Sequence, residues 1–415
     1  MKNIFLTYAI LLLIGCNSSE NQEDNSSHRI DSSYKSVQLG DYGIGFCDTV
    51  IYNSDIKFEF LPIDGPSYAQ YDYSGPTPLF LQIWYPIKPN DQEPMEFKDF
   101  RNRDLSLELQ SVYDPLIEKM DSFFVQYNII EDFINYDAID YGNYSYFDVL
   151  DTLKTYKTMS SYRTITGNSD FPVIVYHHGG QGLSDENFLM AEFFASRGYI
   201  FVSSNFHLPF ENKIYGYEGV VFDDTELPKS VIQFAKTLTT NDQLYFIGHS
   251  SGAQVGFKFL YEHSWVDAFI SLETTLEGRD PAYLKSEDGW PKLAKIIDEH
   301  KLYYKIPILM IANTQEEKPF PLFDELVNSQ MIQVSQKELF GHESYTAGYL
   351  LRYLYRNKFI QPDTVEIKNQ LSLYSKQLKL YEAFLTSVES GKQMNTKEFE
   401  HDFYISIPNT NANNK

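Results

Sequence analysis

The pentapeptide Gly248-His249-Ser250-Ser251-Gly252 directly follows the apolar run Leu244 to Ile247 and directly precedes a helix-like stretch, Ala253 to Glu262. Strand, tight turn and helix, with a glycine two residues before and two after a serine, describe a nucleophile elbow, which raises a hydroxyl above the edge of a sheet. A Gly/Ser turn that merely caps a helix can carry the same five residues; the flanking pattern gives this one its chemical sense. A serine hydroxyl attacks an acyl carbon at neutral pH only when a base takes its proton and a carboxylate orients that base. The elbow therefore implies a histidine and an acid elsewhere in the chain.

In elbows of this type the chain order is serine, acid, histidine. Four histidines follow Ser250: His263 at the end of the helix-like stretch, His300 on a later helix, His401 in the tail, and His342 in Leu339-Phe340-Gly341-His342-Glu343. Only His342 sits in a short loop between a strand-like run and a helix, where a mobile base belongs. The acid has two candidate places. Glu273 is the first charged residue after the run Ala268 to Leu272, while Glu316 and Glu317 follow the run Ile306 to Ala312. Glu316-Glu317-Lys318 has the look of a solvated charge cluster, and Glu273 has less of it.

A tetrahedral oxyanion needs preorganised N–H donors, the first being the amide after the nucleophile, Ser251. The second is expected in His177-His178-Gly179-Gly180-Gln181-Gly182, from Gly180 or alternatively Gln181, because glycines let main-chain amides approach a ligand closely. His177, His178 and His207 show no ligand spacing suited to zinc, so neither a metal nor another cofactor is expected.

The elements that must position these groups follow an α/β rhythm. Gly43 to Tyr52 and Leu79 to Tyr85 read as an opening antiparallel pair. Runs at 172–176, 199–204, 244–247, 268–272, 306–312 and 331–339 alternate with helical stretches at 187–196, 227–238, 253–262, 283–300 and 344–355. Such alternation specifies a mostly parallel central sheet covered by helices on both faces. Residues 97–160 interrupt it with helical spacing, as at Leu116, Met120, Phe123 and Phe124, and read as a helical insertion. Leu371, Tyr374, Leu378, Tyr381, Leu385 and Val388 form the stripe of an amphipathic helix within 361–407, expected to pack on the body, and 408–415 reads as a disordered tail.

The chain has 415 residues, 43% of them hydrophobic, with a net charge of −23. That supports a large core and disfavours a nucleic-acid partner. Its two cysteines, Cys16 and Cys47, form no framework. Residues 1–15 pair Lys2 with a short apolar stretch ending Leu13-Ile14-Gly15-Cys16, which resembles a bacterial lipobox. The resemblance implies cleavage before Cys16, a lipid on its sulfur, and a flexible tether over 16–40 holding the protein at the cell envelope.

With these residues placed, the chain over about 41–360 resembles the α/β-hydrolase superfamily, and within it the platelet-activating-factor acetylhydrolase and dienelactone-hydrolase-like branch. The pieces are Gly43-Ile44-Gly45-Phe46, Ile83-Trp84-Tyr85-Pro86, His178-Gly179, Arg197-Gly198-Tyr199, the elbow, and Gly341-His342, in that order. The resemblance implies an acid on the strand after the nucleophile's. Glu273 stands 23 residues after Ser250, although that branch uses aspartate. It departs again at Gln181, where the branch has glycine. The implied activity is hydrolysis of a carboxylic ester of short or medium acyl length, lipid-like or acetyl, by a Ser250-His342-Glu273 triad under a cap formed by the insertion. Two other expectations fit the same residues: a hydrolase body that binds a ligand without turning it over, and a triad acting on an amide, thioester or polyester. Oligomeric state has no signature here.

Overall fold

A computed structural model describes residues 36–57, 75–89, 93–129, 145–162, 169–180, 183–206, 225–262, 265–274, 291–312, 324–337, 342–347 and 364–407. Cys16, Gln181, His207, His263, Glu316, Glu317, Gly341 and the tail from 408 lie outside the described residues.

Among the described residues ten strands make one sheet: β1 (Gly43–Lys57), β2 (Pro76–Ile87), β3 (Ser160–Tyr162), β4 (Val173–His177), β5 (Ile200–Ser204), β6 (Leu244–His249), β7 (Ala268–Leu272), β8 (Ile308–Ala312), β9 (Met331–Gln336) and β10 (Phe403–Ser406). The helices are α1 (Leu107–Ile129), α2 (Tyr146–Lys154), α3 (Phe188–Ala195), α4 (Glu226–Ala235), α5 (Ser251–Phe259), α6 (Pro291–His300) and α7 (Thr364–Ser390). The spatial order is β3-β1-β2-β5-β4-β6-β7-β8-β9-β10. β1 and β2 are antiparallel, β2 is antiparallel to β5, and β5, β4, β6, β7, β8 and β9 run parallel. The order reverses at β4, so chain leaving β4 and β6 opens a crevice at their carboxyl ends. With the serine turn after β6, this is the α/β-hydrolase fold.

Strands buried on both faces explain why their sequences do not alternate with polar residues. Val173 and Val175 of β4 face one layer, with Val231 of α4, Phe257 of α5 and Ile297 of α6. Ile174 and Tyr176 face the other, with Phe188 of α3, Tyr374 of α7 and Phe97 and Phe124 of the insertion. In α7 the buried side includes Leu373, Gln377, Leu380 and Phe384 besides the expected stripe, so it is wider than one seam.

The segment read as a helical insertion holds a 3-10 turn at Phe97–Phe100, then α1 and α2, and ends in β3, which pairs in parallel with β1. A three-residue strand is too short to show a period. The insertion is tied to the body by buried charge. Arg101 donates from Nε and Nη2 to both oxygens of Asp185, at 2.6 and 2.7 Å, and from Nη1 to Asp121 at 2.6 Å. Glu192 of α3 accepts from the Met159 amide at 2.8 Å and the Ser160 hydroxyl at 2.7 Å.

Other differences from the sequence expectation are local. The strand expected over 331–339 ends at Gln336, and where a helix was expected from Ser344 the chain makes a 3-10 turn, His342–Tyr345. β10 was not foreseen: after α7 the chain returns as an antiparallel edge strand on β9.

Candidate active site

Steric demand builds the elbow. A Cβ on Gly248 would stand 2.5 Å from the Gly252 carbonyl oxygen, and one on Gly252 would stand 2.4 Å from the His177 carbonyl oxygen. Neither position admits a side chain while β6, α5 and the loop after β4 stay in contact. Between them Ser250 adopts φ 53° and ψ −115°, a conformation L residues rarely occupy and one that marks a strained, over-determined turn. Its amide donates to the Leu272 carbonyl at 2.9 Å, and its carbonyl accepts from Gln254 at 3.1 Å. The elbow is thus stitched to the end of β7.

Glu273 follows at once, also at positive φ, 50°, with its amide donating to Ile311 of β8 at 2.9 Å. Gln254 of α5 donates to the Thr274 carbonyl at 2.7 Å, which anchors the same turn from the serine side. Glu273 Oε1 lies 3.1 Å from Nδ1 of His342. Its Oε2 is buried without a hydrogen-bond partner among the described residues. His342 itself is partly exposed and opens the 3-10 turn His342–Tyr345. His249, the residue before Ser250, meets that turn: its ring centroid is 5.0 Å from the His342 ring. Ser250 and Glu273 thus follow the carboxyl ends of β6 and β7, and His342 meets Glu273 there.

Of the two residues expected on the loop after β4 as second oxyanion donor, Gly180 is among the described residues and Gln181 is not. Gly179 donates its amide to Glu186 Oε1 at 3.0 Å, so the next amide along the loop is that of Gly180. Ser251 opens α5, where first-turn amides have no acceptor within the helix. His178 pins the loop. Its Nε2 accepts from the Phe206 amide at 3.0 Å, so Nδ1 carries the hydrogen and donates to the Gly179 carbonyl at 2.6 Å. His177 stacks on Phe206, ring centroids 4.1 Å apart.

Burial holds His177 and His178 below the ordinary histidine value. The unfolded chain, titrating near about 6.5, therefore takes up protons first as pH falls. The stabilisation from these neutral rings is whole above that value and is lost as pH drops through the depressed folded values. The thermal midpoint is expected to decline between pH 7 and 5.5, and a flat profile there would contradict the neutral state of His178. Among the described residues no cluster of three or more His, Cys, Asp or Glu side chains is arranged to hold a metal ion.

No protein-family model matches the chain, and no curated protein matches it in sequence. Solved structures do resemble it. A ferulic acid esterase from Streptomyces cinnamoneus is 13% identical over 83% of this chain and 89% of its own, with a TM-score of 0.47. LipS and LipT, described as metagenome-derived lipolytic enzymes, are 13% identical over 49% and 96%, TM-score 0.35. MenH from S. aureus is 12% identical over 54% and 97%, TM-score 0.33. Strand order and the serine turn by themselves define the fold.

Several side chains of the site were not singled out from sequence. Glu186, Asp185 and Asn187 form a polar run at the start of α3, yet they are fully or almost fully buried. A polar run before a helix ordinarily reads as a solvated cap, so only its place under the insertion reveals it.

Proposed function

We propose that this chain is a serine hydrolase of carboxylic esters with short or medium acyl groups. The observation that carries the reading is the Glu273–His342 contact of 3.1 Å at the mouth of a strained serine elbow. In the proposed cycle Ser250 Oγ attacks the ester carbonyl carbon while His342 Nε2 takes its proton. Glu273 accepts from Nδ1–H, holding the ring in the tautomer that leaves Nε2 free to act as base and stabilising the imidazolium that forms. The amides of Ser251 and Gly180 receive the oxyanion. His342 then protonates the departing alkoxide, and water attacks the acyl-Ser250 ester by the same proton relay to release the acid. The insertion of residues 97–160, docked through Arg101 and Asp185, would cover the crevice and select the substrate. The chemistry allows a plain ester without help from a metal, and the acyl preference lies in the cap.

A fluorophosphonate should label the protein on the peptide that contains Ser250, and acyl nitrophenyl esters should be hydrolysed; failure of both would sink the reading. Glu273→Gln should lower turnover by about 10³- to 10⁴-fold, whereas Glu316→Gln should leave it near wild type. The reverse order would move the acid to the later loop. The proposed setting is the envelope, through a lipid on Cys16. Incorporation of labelled fatty acid should vanish in Cys16→Ser, and its persistence would exclude that anchor.

A further inference from the structure

His249 stands between Ser250 and the rest of β6 and is fully buried. Nδ1 lies 3.2 Å from Glu186 Oε1, and Nε2 lies 3.2 Å from the backbone carbonyl oxygen of His342. Both partners are acceptors. A neutral imidazole has one hydrogen and would turn a lone pair toward either the carboxylate or the carbonyl, whereas an imidazolium satisfies both. The surroundings of Glu186 fit the matching anion. Its Oε1 also accepts from the Tyr176 hydroxyl at 2.5 Å and from the Gly179 amide at 3.0 Å. Burial pushes this carboxyl up, but His249, His178 and the Tyr176 hydroxyl together outweigh burial and hold it below the usual value.

The pair touches both loops that the proposed reaction uses. Glu186 holds the Gly179 amide of the oxyanion loop, and its own carbonyl accepts from the Ala347 amide at 2.9 Å. Asn187 beside it donates to the Tyr345 carbonyl at 3.0 Å. His249 holds the His342 main chain and places its ring 5.0 Å from that of His342. A fixed positive charge at that distance opposes a second one on His342, and the more distant Glu186 charge offsets only part of this.

We propose that His249, kept as an imidazolium by Glu186, is a positioning residue that locks the His342 loop to the oxyanion loop and keeps His342 unprotonated, hence basic, near neutral pH. The inference rests on the proposed roles of Ser250 and His342. Other titratable groups facing the pair are Tyr176 of β4, His178 of the oxyanion loop, Asp185 with its partner Arg101, Tyr345 of the base loop and Tyr374 of α7, with Glu273 on the far side of His342.

The test is the rate of fluorophosphonate labelling of the full chain from pH 5 to 9. His249→Gln is expected to slow labelling ten- to a hundredfold on the alkaline plateau. It should also raise the acid limb by about one pH unit, because the neighbouring positive charge is gone. Glu186→Gln should raise the limb by less, since it discharges the pair as a whole. Slowed labelling with an unmoved limb, or a limb that falls in Glu186→Gln, would overturn the proposal. Nitrogen NMR of histidine-labelled wild-type protein gives a readout that needs neither variants nor activity. Two protonated ring nitrogens on His249 at pH 7.5 support the pair, and one protonated nitrogen overturns it. A wild type that does not label while His249 is doubly protonated refutes the hydrolase reading and leaves the pair standing.

Discussion

Ser250→Ala is expected to reduce ester turnover by about 10⁴- to 10⁶-fold, since a triad without its nucleophile retains only binding and oxyanion stabilisation. Fluorophosphonate labelling should disappear with it. Stability should stay near wild type: the turn is set by Gly248 and Gly252, whose neighbours leave no room for a Cβ, and the Ser250 amide still donates to Leu272. The measurements are kcat on a nitrophenyl ester of short acyl chain, intact mass after labelling, and the thermal midpoint. Turnover within about a hundredfold of wild type, with the fold intact, would remove Ser250 from the mechanism.

The largest effect on stability is expected at Arg101. Its guanidinium is almost wholly buried, bidentate on Asp185, shared with Asp121, and stacked 5.0 and 4.8 Å from the centroids of Phe97 and Phe124. Burial alone would push its pKa down, but the two carboxylates more than offset burial, and the group stays charged. Arg101→Met leaves Asp121 with Lys154, 2.5 Å away, but strands Asp185 with no counter-charge at zero exposure. Removing one member of a buried pair costs about 3–5 kcal/mol. The double variant Arg101→Met/Asp185→Leu should regain much of it, because no unpaired charge remains. Urea unfolding of the three proteins reads both values. A loss below about 1 kcal/mol in the single variant would show that the pair acts as a solvated surface bridge. Asp185 precedes Glu186, which holds the Gly179 amide, so the same lesion should lower turnover by loosening the oxyanion loop.

Much of the architecture is written in local pattern. Ile174, Val175 and Tyr176, or Phe269 and Ile270, can be satisfied only in a strand buried on both faces, and the glycines at 248 and 252 announce a turn that no larger residue could make. β3 and β10 escaped because each is a short edge strand whose pairing partner is far away in sequence. The polar run at Asp185, Glu186 and Asn187 carries no local sign of burial; its desolvation comes from the insertion and α7 closing over it, with Tyr374 donating to Asn187 at 2.8 Å.

Sequence alone was enough for the serine turn, the α/β alternation and the one histidine in a loop of the right kind, because sterics and periodicity act between near neighbours. It left open which carboxylate meets that histidine, since the loops after two adjacent strands open on the same sheet edge. The tertiary structure brings Glu273 Oε1 to 3.1 Å from that histidine and pairs His249 with Glu186 across 63 residues. Those partnerships depend on strand order and on how deeply each charge is buried, and both exist only once the sheet is assembled.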